Sequence, residues 1–317
     1  MKLAFLFPGQ GAQAVGMGRA LAEAHPEARE VFETADRVLG FPFTELMWNG
    51  PEDELKRTMN AQPALLTHSV AALRLVTAAG LEPGWVAGHS LGEYSACVAA
   101  GALSFEDALR LTRRRGELMY QAGVDRPGTM AAILGLTREQ VEAVCLAASP
   151  AGIVRAANLN APGQIVISGE IPAIEKACEL AKQAGAKRAI RLEVSGAFHS
   201  PLMASAAAGL REALEHVTLR DARCPVIANV SAAPVQKAAE IRAALEAQVL
   251  GAVRWEDSMR RLLEAGAERF VEIGTGRVLR GLLRTLAPEA SSFNVEDPAS
   301  LAATLSALGA APAGRAS

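Results

Sequence analysis

The fold of this 317-residue chain is decided by residues 85–95, W-V-A-G-H-S-L-G-E-Y-S. The first four letters have the apolar content of a short buried strand, and the alanine-containing segment that ends at Gly101 is typical of a helix. Between them lies a G-x-S-x-G sequence centred on Ser90. Glycines two residues away on both sides permit a crowded strand-to-helix turn, so the stretch predicts a nucleophilic serine at a helix N-terminus. Backbone N–H groups at such a terminus favour an oxyanion.

Outward from this turn, short apolar runs alternate with amphipathic segments, beginning with K-L-A-F-L-F at 2–7 and helix-like stretches near 17–38, 52–58 and 63–79. This alternation of strand-like and helix-like segments predicts an α/β fold, with a hydrolase-like parallel sheet and helices on both of its faces. We expect helices to stop at glycines, which readily adopt the left-handed conformation of a C-terminal cap: Gly40, Gly80, Gly101 and Gly123.

The alternation changes in the middle of the chain, where the segments follow the order strand, helix, strand, strand, helix, strand. This order predicts a small ferredoxin-like α+β domain over residues 127–195, inserted into a discontinuous large domain of residues 1–126 and 196–300. The small, polar and proline-containing end of the sequence predicts a flexible tail over 301–317.

The composition disfavours several classes of function. With 32 basic and 34 acidic residues the net charge is -2, so there is no electrostatic reason to expect binding to nucleic acid or to a membrane. The four cysteines form no C-x-x-C pair, so neither a metal site nor a disulfide framework is expected, and a cytoplasmic setting fits. The apolar run that stops at Pro8 is too short for a signal peptide or a membrane span.

Ser90 needs a base within hydrogen-bond reach, and the chain has five histidines. His199 lies in V-S-G-A-F-H-S-P-L-M, a loop between a strand and a helix, and is the predicted base. The others are typical of surface positions, of packing, or of a side chain that points away from the serine: His25, His216, His68 and His89. An α/β-hydrolase triad would place its histidine late in the chain, whereas more than a hundred residues follow His199, so an ordinary hydrolase is disfavoured.

Arg115 occupies a position where a helix should have an apolar residue. Ser104 and Asp107 have capping-box spacing, and a helical wheel that starts there places Arg115 in the middle of the inward face. Two interpretations stay open. The arginine pairs with an internal carboxylate or extends past its neighbours to the surface, or its forked guanidinium binds the carboxylate of a ligand. The second interpretation predicts a dicarboxylic substrate.

Five motifs occur together over about residues 3–297: F-P-G-Q-G-A-Q at 7–13, G-H-S-L-G-E-Y-S at 88–95, Arg115 followed by glycine, N-L-N-A-P-G-Q at 158–164, and G-A-F-H-S-P-L-M at 196–203. Through these motifs the chain resembles the malonyl-CoA:acyl carrier protein transacylase family. The resemblance implies that Ser90 takes malonyl from coenzyme A, that His199 is its base, and that Arg115 binds the malonyl carboxylate.

The same resemblance assigns supporting roles. It implies that the backbone N–H groups of Gln10 and Leu91 form the oxyanion hole, and that a backbone carbonyl at Gln248 orients the catalytic histidine. Many relatives have Asn-Pro where this chain has Gly251-Ala252. The resemblance also implies two substrate-binding residues, Asn160 and Phe198. An aromatic ring at Phe198 would crowd an α-methyl group and so favour malonyl over methylmalonyl.

The resemblance further implies the substrates and partners. Malonyl-CoA is the donor, the phosphopantetheine thiol of an acidic acyl carrier protein is the acceptor, and no cofactor is bound. A monomer with ping-pong kinetics is expected, most simply serving fatty acid synthesis. Alternatives are a malonyltransferase of a polyketide synthase or of a malonate decarboxylase system, a serine thioesterase or carboxylesterase, and a non-catalytic module that docks carrier proteins. Candidates for a basic docking surface are Arg113, Arg114, Lys182, Lys187, Arg188, Arg191, Arg277, Arg280 and Arg284.

Overall fold

Two β-sheets organise the protein, whose computed structural model describes residues 2–310. Their strands are β1 (Leu3–Phe7), β2 (Trp85–Gly88), β3 (Thr129–Leu134), β4 (Val154–Ala161), β5 (Gln164–Gly169), β6 (Arg188–Arg191), β7 (Val226–Ile227), β8 (Pro234–Val235), β9 (Arg269–Ile273) and β10 (Ser291–Val295). The larger sheet has the order β10-β9-β1-β2-β7-β8 and is parallel except for the pair β7–β8. This arrangement confirms the predicted α/β class.

Helices cover both faces of the larger sheet. The α-helices are α1 (Arg19–Ala24), α2 (Pro26–Leu39), α3 (Phe43–Asn49), α4 (Glu52–Lys56), α5 (Thr58–Ala78), α6 (Gly92–Ala99), α7 (Phe105–Asp125), α8 (Arg138–Ala148), α9 (Ile171–Gln183), α10 (Ala204–Glu215), α11 (Ala238–Gln248), α12 (Trp255–Glu264), α13 (Val278–Leu286) and α14 (Pro298–Leu308). Phe5 packs in a core cluster with residues of α2, α5 and α7, whereas its neighbours Ala4 and Leu6 pack with α12 and α13. Successive side chains of a strand point to opposite faces, so each face has its own core. Within residues 2–310, no helix combines the length and the apolar character needed to cross a bilayer.

The smaller sheet lies between residues 129 and 191 and has the order β4-β5-β3-β6, with every neighbouring pair antiparallel. Helices α8 and α9 pack on it around a separate core cluster, as the ferredoxin-like order of elements predicts. Strand β4 is tied to the large-sheet region, because Leu159 and Ala157 exchange backbone hydrogen bonds of 2.9 and 2.8 Å with Val253. The boundaries at 127–195, 1–126 and 196–300 stay a prediction.

Gly123 has a different role from the one expected. The other three glycines named as helix stops have positive φ angles of 78°, 80° and 73°: Gly40, Gly80 and Gly101. Helix α7, however, runs through Gly123 to Asp125. A Cβ at Gly123 would lie 2.2 Å from the carbonyl oxygen of Ser195. The glycine is therefore needed because the loop that leads to His199 approaches the helix closely.

The prediction of a flexible tail over 301–317 is wrong for residues 301–308, which belong to a helix. Helix α14 begins after Asp297, whose side chain accepts a hydrogen bond from the backbone N–H of Ser300. Its leucines at one face are buried: Leu301, Leu305 and Leu308. This apolar face is what the sequence prediction overlooked when it placed the start of the tail at 301. The remaining stretch, 311–317, lies outside the described residues.

Candidate active site

Ser90 lies in a strained turn between β2 and α6. Its φ angle is +50°, a left-handed conformation that is uncommon for a residue with a side chain. The flanking glycines are required by close contacts: a Cβ at Gly88 would lie 1.9 Å from the carbonyl carbon of Gly92, and one at Gly92 would lie 2.1 Å from the carbonyl oxygen of Phe7. The strand-turn-helix geometry predicted from the sequence is therefore present. Ser90 directly precedes Leu91, the N-cap residue of α6.

Asn229 holds this turn from the loop that follows the neighbouring strand β7. Its Oδ1 accepts a hydrogen bond of 2.7 Å from the backbone N–H of Ser90, and its Nδ2 donates one of 2.7 Å to the carbonyl of Gly88. Asn229 itself is buried. Both polar groups of its amide are thus used to hold the backbone on either side of His89, which offsets the strain at the serine.

His199 and Ser90 form a hydrogen-bonded pair, with 2.8 Å between Nε2 and Oγ. The other ring nitrogen, Nδ1, lies 2.9 Å from the carbonyl oxygen of Gln248 and 3.1 Å from that of Gly251. A carbonyl oxygen can only accept, so Nδ1 carries the proton and Nε2 is free to accept the proton of the serine. The carbonyl at Gln248 therefore lies where the resemblance implied.

The electrostatic setting keeps His199 neutral. Burial, and after it the positive charge of Arg115, lowers the pKa of His199 to about 3. Each effect disfavours the charged imidazolium, the first because a buried ion loses its hydration and the second because like charges repel. At neutral pH the ring is consequently unprotonated and able to act as a base.

Arg115 is buried on α7 and reaches the nucleophile. Its Nη2 donates to Oγ of Ser90 at 3.1 Å and to Oε1 of Gln248 at 2.9 Å, and its Nη1 donates to Oε1 of Gln62 at 2.6 Å. None of these three partners is a carboxylate, and Nε is buried without an acceptor. The face of Tyr94 lies 5.7 Å from the guanidinium carbon. This arrangement argues against pairing with an internal acid, which was one of the two open interpretations.

A cavity of about 360 Å³ opens onto these groups. Besides Ser90, His199 and Arg115, the cavity is lined by residues near both β-sheets. They include the predicted residues Gln10, Leu91 and Phe198. Within residues 2–310 the backbone N–H groups of Gln10 and Leu91 have no acceptor, and the Gln10 side chain is held by a 2.9 Å hydrogen bond from Thr58. Two free N–H groups beside a nucleophile are what an oxyanion hole requires.

Asn160 does not line this cavity. Its Oδ1 instead lies 2.8 Å from Nε2 of His89, whose ring is also 5.6 Å from that of Trp255. Asn158, two residues earlier on β4, lines the cavity in its place. The structure therefore gives no evidence for direct substrate binding by Asn160. Its side chain instead contacts His89 and so helps to hold the serine turn.

Sequence reasoning missed three residues of the site: Gln62, Glu93 and Asn229. Asn229 lies two residues after β7, at the carboxyl edge of the parallel sheet where ligands of α/β proteins bind, and that position was a usable signal. Gln62 is a fully buried polar residue on α5, where its Nε2 donates a hydrogen bond of 2.9 Å to Oγ1 of Thr58. Glu93 gave no signal, since an acid in the first turn of a helix is ordinary. In the described part of the chain, no group of three His, Cys, Asp or Glu side chains could hold a metal ion.

Known proteins match the chain over nearly its whole length. The acyl transferase domain family matches residues 4–296. A malonyl CoA-acyl carrier protein transacylase of Bacillus subtilis is 48% identical over 308 residues, which covers 97% of each chain. The crystal structure of an acyl-carrier-protein S-malonyltransferase from Bartonella henselae is 43% identical, with a TM-score of 0.94 over 98% of this chain and 100% of that one. A malonyl-transacylase solved with a type II polyketide synthase acyl carrier protein is 42% identical, with a TM-score of 0.93 over 97% of this chain and 100% of that one.

Proposed function

The chain belongs to the acyl transferase domain family, and from that membership we propose that it transfers malonyl from coenzyme A to the phosphopantetheine thiol of an acyl carrier protein. The relatives named for this reaction cover the chain almost completely. Ser90 carries the malonyl group between the two thiols. Coenzyme A enters as a substrate, and phosphopantetheine arrives on the partner protein.

One observation supports a preference for an acyl group that bears a carboxylate. The guanidinium of Arg115 is buried, donates to the serine oxygen, and has only neutral hydrogen-bond partners. A buried cation without a carboxylate is costly, and a bidentate carboxylate is its best partner. Because Nη2 of Arg115 lies 3.1 Å from Oγ of Ser90, a malonyl group on this serine would bring its free carboxylate close to the cation, whereas an acetyl group has no carboxylate. The site therefore favours a carboxylated thioester.

The first half-reaction follows from the proton positions. Nε2 of His199 takes the proton of Ser90 as Oγ attacks the thioester carbonyl, and the oxyanion is held by the N–H groups of Gln10 and Leu91, each worth about 10²–10³ in rate. When the tetrahedral intermediate collapses, the C–S bond breaks and the imidazolium returns its proton to the leaving thiolate. Malonyl-serine and coenzyme A result.

The second half-reaction reverses these steps with a new thiol. Nε2 of His199 takes the proton of the phosphopantetheine thiol, sulfur attacks the malonyl ester, and the proton is returned to Ser90 as the C–O bond breaks. The kinetics are ping-pong, since the first product leaves before the carrier protein reacts. We further propose that the enzyme acts as a monomer in the cytoplasm and most simply supplies fatty acid synthesis. A polyketide synthase or a malonate decarboxylase system is the alternative.

Intact mass spectrometry tests the proposal. Incubation with malonyl-CoA is expected to add one malonyl group to the wild type and none to Ser90→Ala. The adduct should persist in buffer and disappear when holo acyl carrier protein is added, with malonyl recovered on the carrier. Fast loss of the adduct to water would identify a thioesterase, and a folded protein that forms no adduct would identify a docking module.

A further inference from the structure

Glu93 is a buried acid beside the site that the mechanism above does not use. It lies on α6, three residues after the nucleophile, and is 1% exposed. Its Oε2 accepts a hydrogen bond of 2.5 Å from Nε2 of Gln248, and its Oε1 accepts one of 3.3 Å from the backbone N–H of Asn229. Neither partner is a cation. A buried carboxylate in such a setting is expensive, so its presence needs a reason.

The contact with Gln248 determines which way that amide faces. A carboxylate can only accept, so the NH2 group of Gln248 must point to Glu93, and it also donates to the carbonyl of Ser90 at 2.8 Å. The amide oxygen consequently points the other way, where it accepts from Nη2 of Arg115 at 2.9 Å. The same residue supplies the backbone carbonyl that receives Nδ1–H of His199. Glu93 thus orients the group that holds the cation.

The contact with Asn229 reaches the serine. The N–H of Asn229 is bound by Glu93, while its side chain binds the backbone on both sides of His89 in the turn. One carboxylate is therefore linked, through one residue each, to the cation and to the nucleophile.

We propose that Glu93 is a positioning residue that, through the amide of Gln248, holds the Arg115 guanidinium where it selects a carboxylated acyl group, and through Asn229 supports the serine turn. This inference rests on the proposed function, because selection by Arg115 has meaning only for an acyl donor that binds there.

The charges agree with this geometry. Burial raises the pKa of Glu93 to about 7 and lowers the pKa of Arg115, and the attraction between the two groups across the Gln248 amide opposes both shifts. Two oppositely charged groups separated by one oriented amide are stabilised without direct contact, which leaves the guanidinium free to bind an incoming carboxylate.

Glu93→Gln tests the proposal with little change in shape. The new amide can accept from Gln248 or from Asn229 but not from both, because its NH2 group must face the other donor. We expect single-turnover formation of the malonyl-enzyme to slow by about 10- to 100-fold, the loss associated with one charge-assisted hydrogen bond. Acetyl-enzyme formation should slow less, so the malonyl to acetyl rate ratio falls.

Glu272→Gln is the matched control. Glu272 is also 1% exposed and also accepts two hydrogen bonds, in its case both from backbone N–H groups, those of Leu279 and Arg280, but it does not line the cavity. A buried acid that is merely structural should behave like this control, with lower stability and an unchanged malonyl to acetyl ratio per folded molecule. An unchanged ratio in Glu93→Gln would overturn the proposal.

Gln248→Met removes the amide that connects Glu93 to Arg115, and it provides a second test if Glu93→Gln does not fold. It should lower the malonyl to acetyl ratio in the same direction, and the double variant should lose less than the sum of both losses. A folded Gln248→Met with the wild-type ratio would contradict the proposal. Wild-type protein that forms no malonyl-serine would refute the proposed function instead, whatever the variants do.

Discussion

His199 and His68 are both buried, and each lies between a hydroxyl group and a backbone carbonyl. His199 contacts Oγ of Ser90 at 2.8 Å and the carbonyl of Gln248 at 2.9 Å. His68 contacts Oγ1 of Thr275 at 2.6 Å and the carbonyl of Glu296 at 2.9 Å. Burial lowers the pKa of His199 to about 3 and that of His68 to about 4. By these local measures, either pair would pass for a catalytic dyad.

The surroundings of the two hydroxyl groups differ. Ser90 borders a cavity, precedes the N-terminus of α6 and has the Arg115 guanidinium 3.1 Å from its oxygen. His68 lies in the middle of α5, and its ring packs against Gly18, where a Cβ would come within 3.3 Å of it. A hydroxyl, an imidazole and a carbonyl therefore do not make an active site by themselves. Access, a place for the oxyanion and a cation for the substrate distinguish the first pair from the second.

The largest effect is expected from removing either member of the Ser90–His199 pair, with the hydroxyl of the other pair as the control. Ser90→Ala should form no malonyl-enzyme, because the atom that accepts the acyl group is gone, and His199→Ala should slow acylation by about 10²–10⁴. Thr275→Ala, the matched change in the other pair, should acylate at the wild-type rate when folded. Intact mass over a time course measures all three. Loss of acylation in folded Thr275→Ala would mean that the two pairs are coupled.

Arg115→Ala removes the cation that only the first pair has. Malonyl transfer should fall by about two orders of magnitude or more, since breaking a buried ion pair costs roughly 3–5 kcal/mol. Acetyl transfer should be retained better, because an acetyl group never uses the guanidinium. Parallel single-turnover assays with malonyl-CoA and acetyl-CoA measure the two rates. Equal losses would show that Arg115 supports the fold rather than the substrate.

The parts of the site that the sequence predicts are those encoded locally. The turn at Ser90 needs glycines at fixed offsets because the backbone atoms of Gly88 and Gly92 nearly touch, and such a need shows in five letters. Arg115 follows from helical periodicity, since α7 begins at its predicted cap with Ser104 accepting from the N–H of Asp107. His199 follows from elimination among few candidates, and its two contacts agree with that choice.

The parts that the sequence leaves open depend on distant segments meeting. Asn229 and Gln248 lie more than a hundred residues from Ser90, and no local pattern records their hydrogen bonds to it. Asn158 and Asn160 lie two apart on β4, where strict alternation would give them one face. The register of β4 against β5 shifts at 156/158 and again at 159/161, so alternation does not decide which asparagine faces the cavity.

Asn229→Ala should have a smaller effect than Arg115→Ala and a different signature. It leaves the N–H of Ser90 and the carbonyl of Gly88 without their partner, which costs about 1–3 kcal/mol. Acylation should slow by roughly 10-fold for malonyl-CoA and acetyl-CoA alike, because the serine is displaced and the cation is not. Chemical denaturation and the paired acylation assay measure both effects. A selective loss of malonyl transfer would contradict this division of roles.

His68→Gln should leave acylation within about twofold of the wild type and change stability instead. Because burial lowers the pKa of His68 from 6.5 to about 4, the unfolded chain takes up a proton at His68 over that interval while the folded protein does not. The stabilisation is therefore complete above pH 6.5 and is lost as the pH falls toward 4, by about 3 kcal/mol.

Glu93 and Glu272, whose pKa values burial raises to about 7, act in the opposite direction but are present in both proteins. The wild type should thus lose more unfolding free energy than the variant between these pH values, as urea titrations at several pH values would measure. A tenfold slower acylation by folded His68→Gln would remove the distinction between the two histidines.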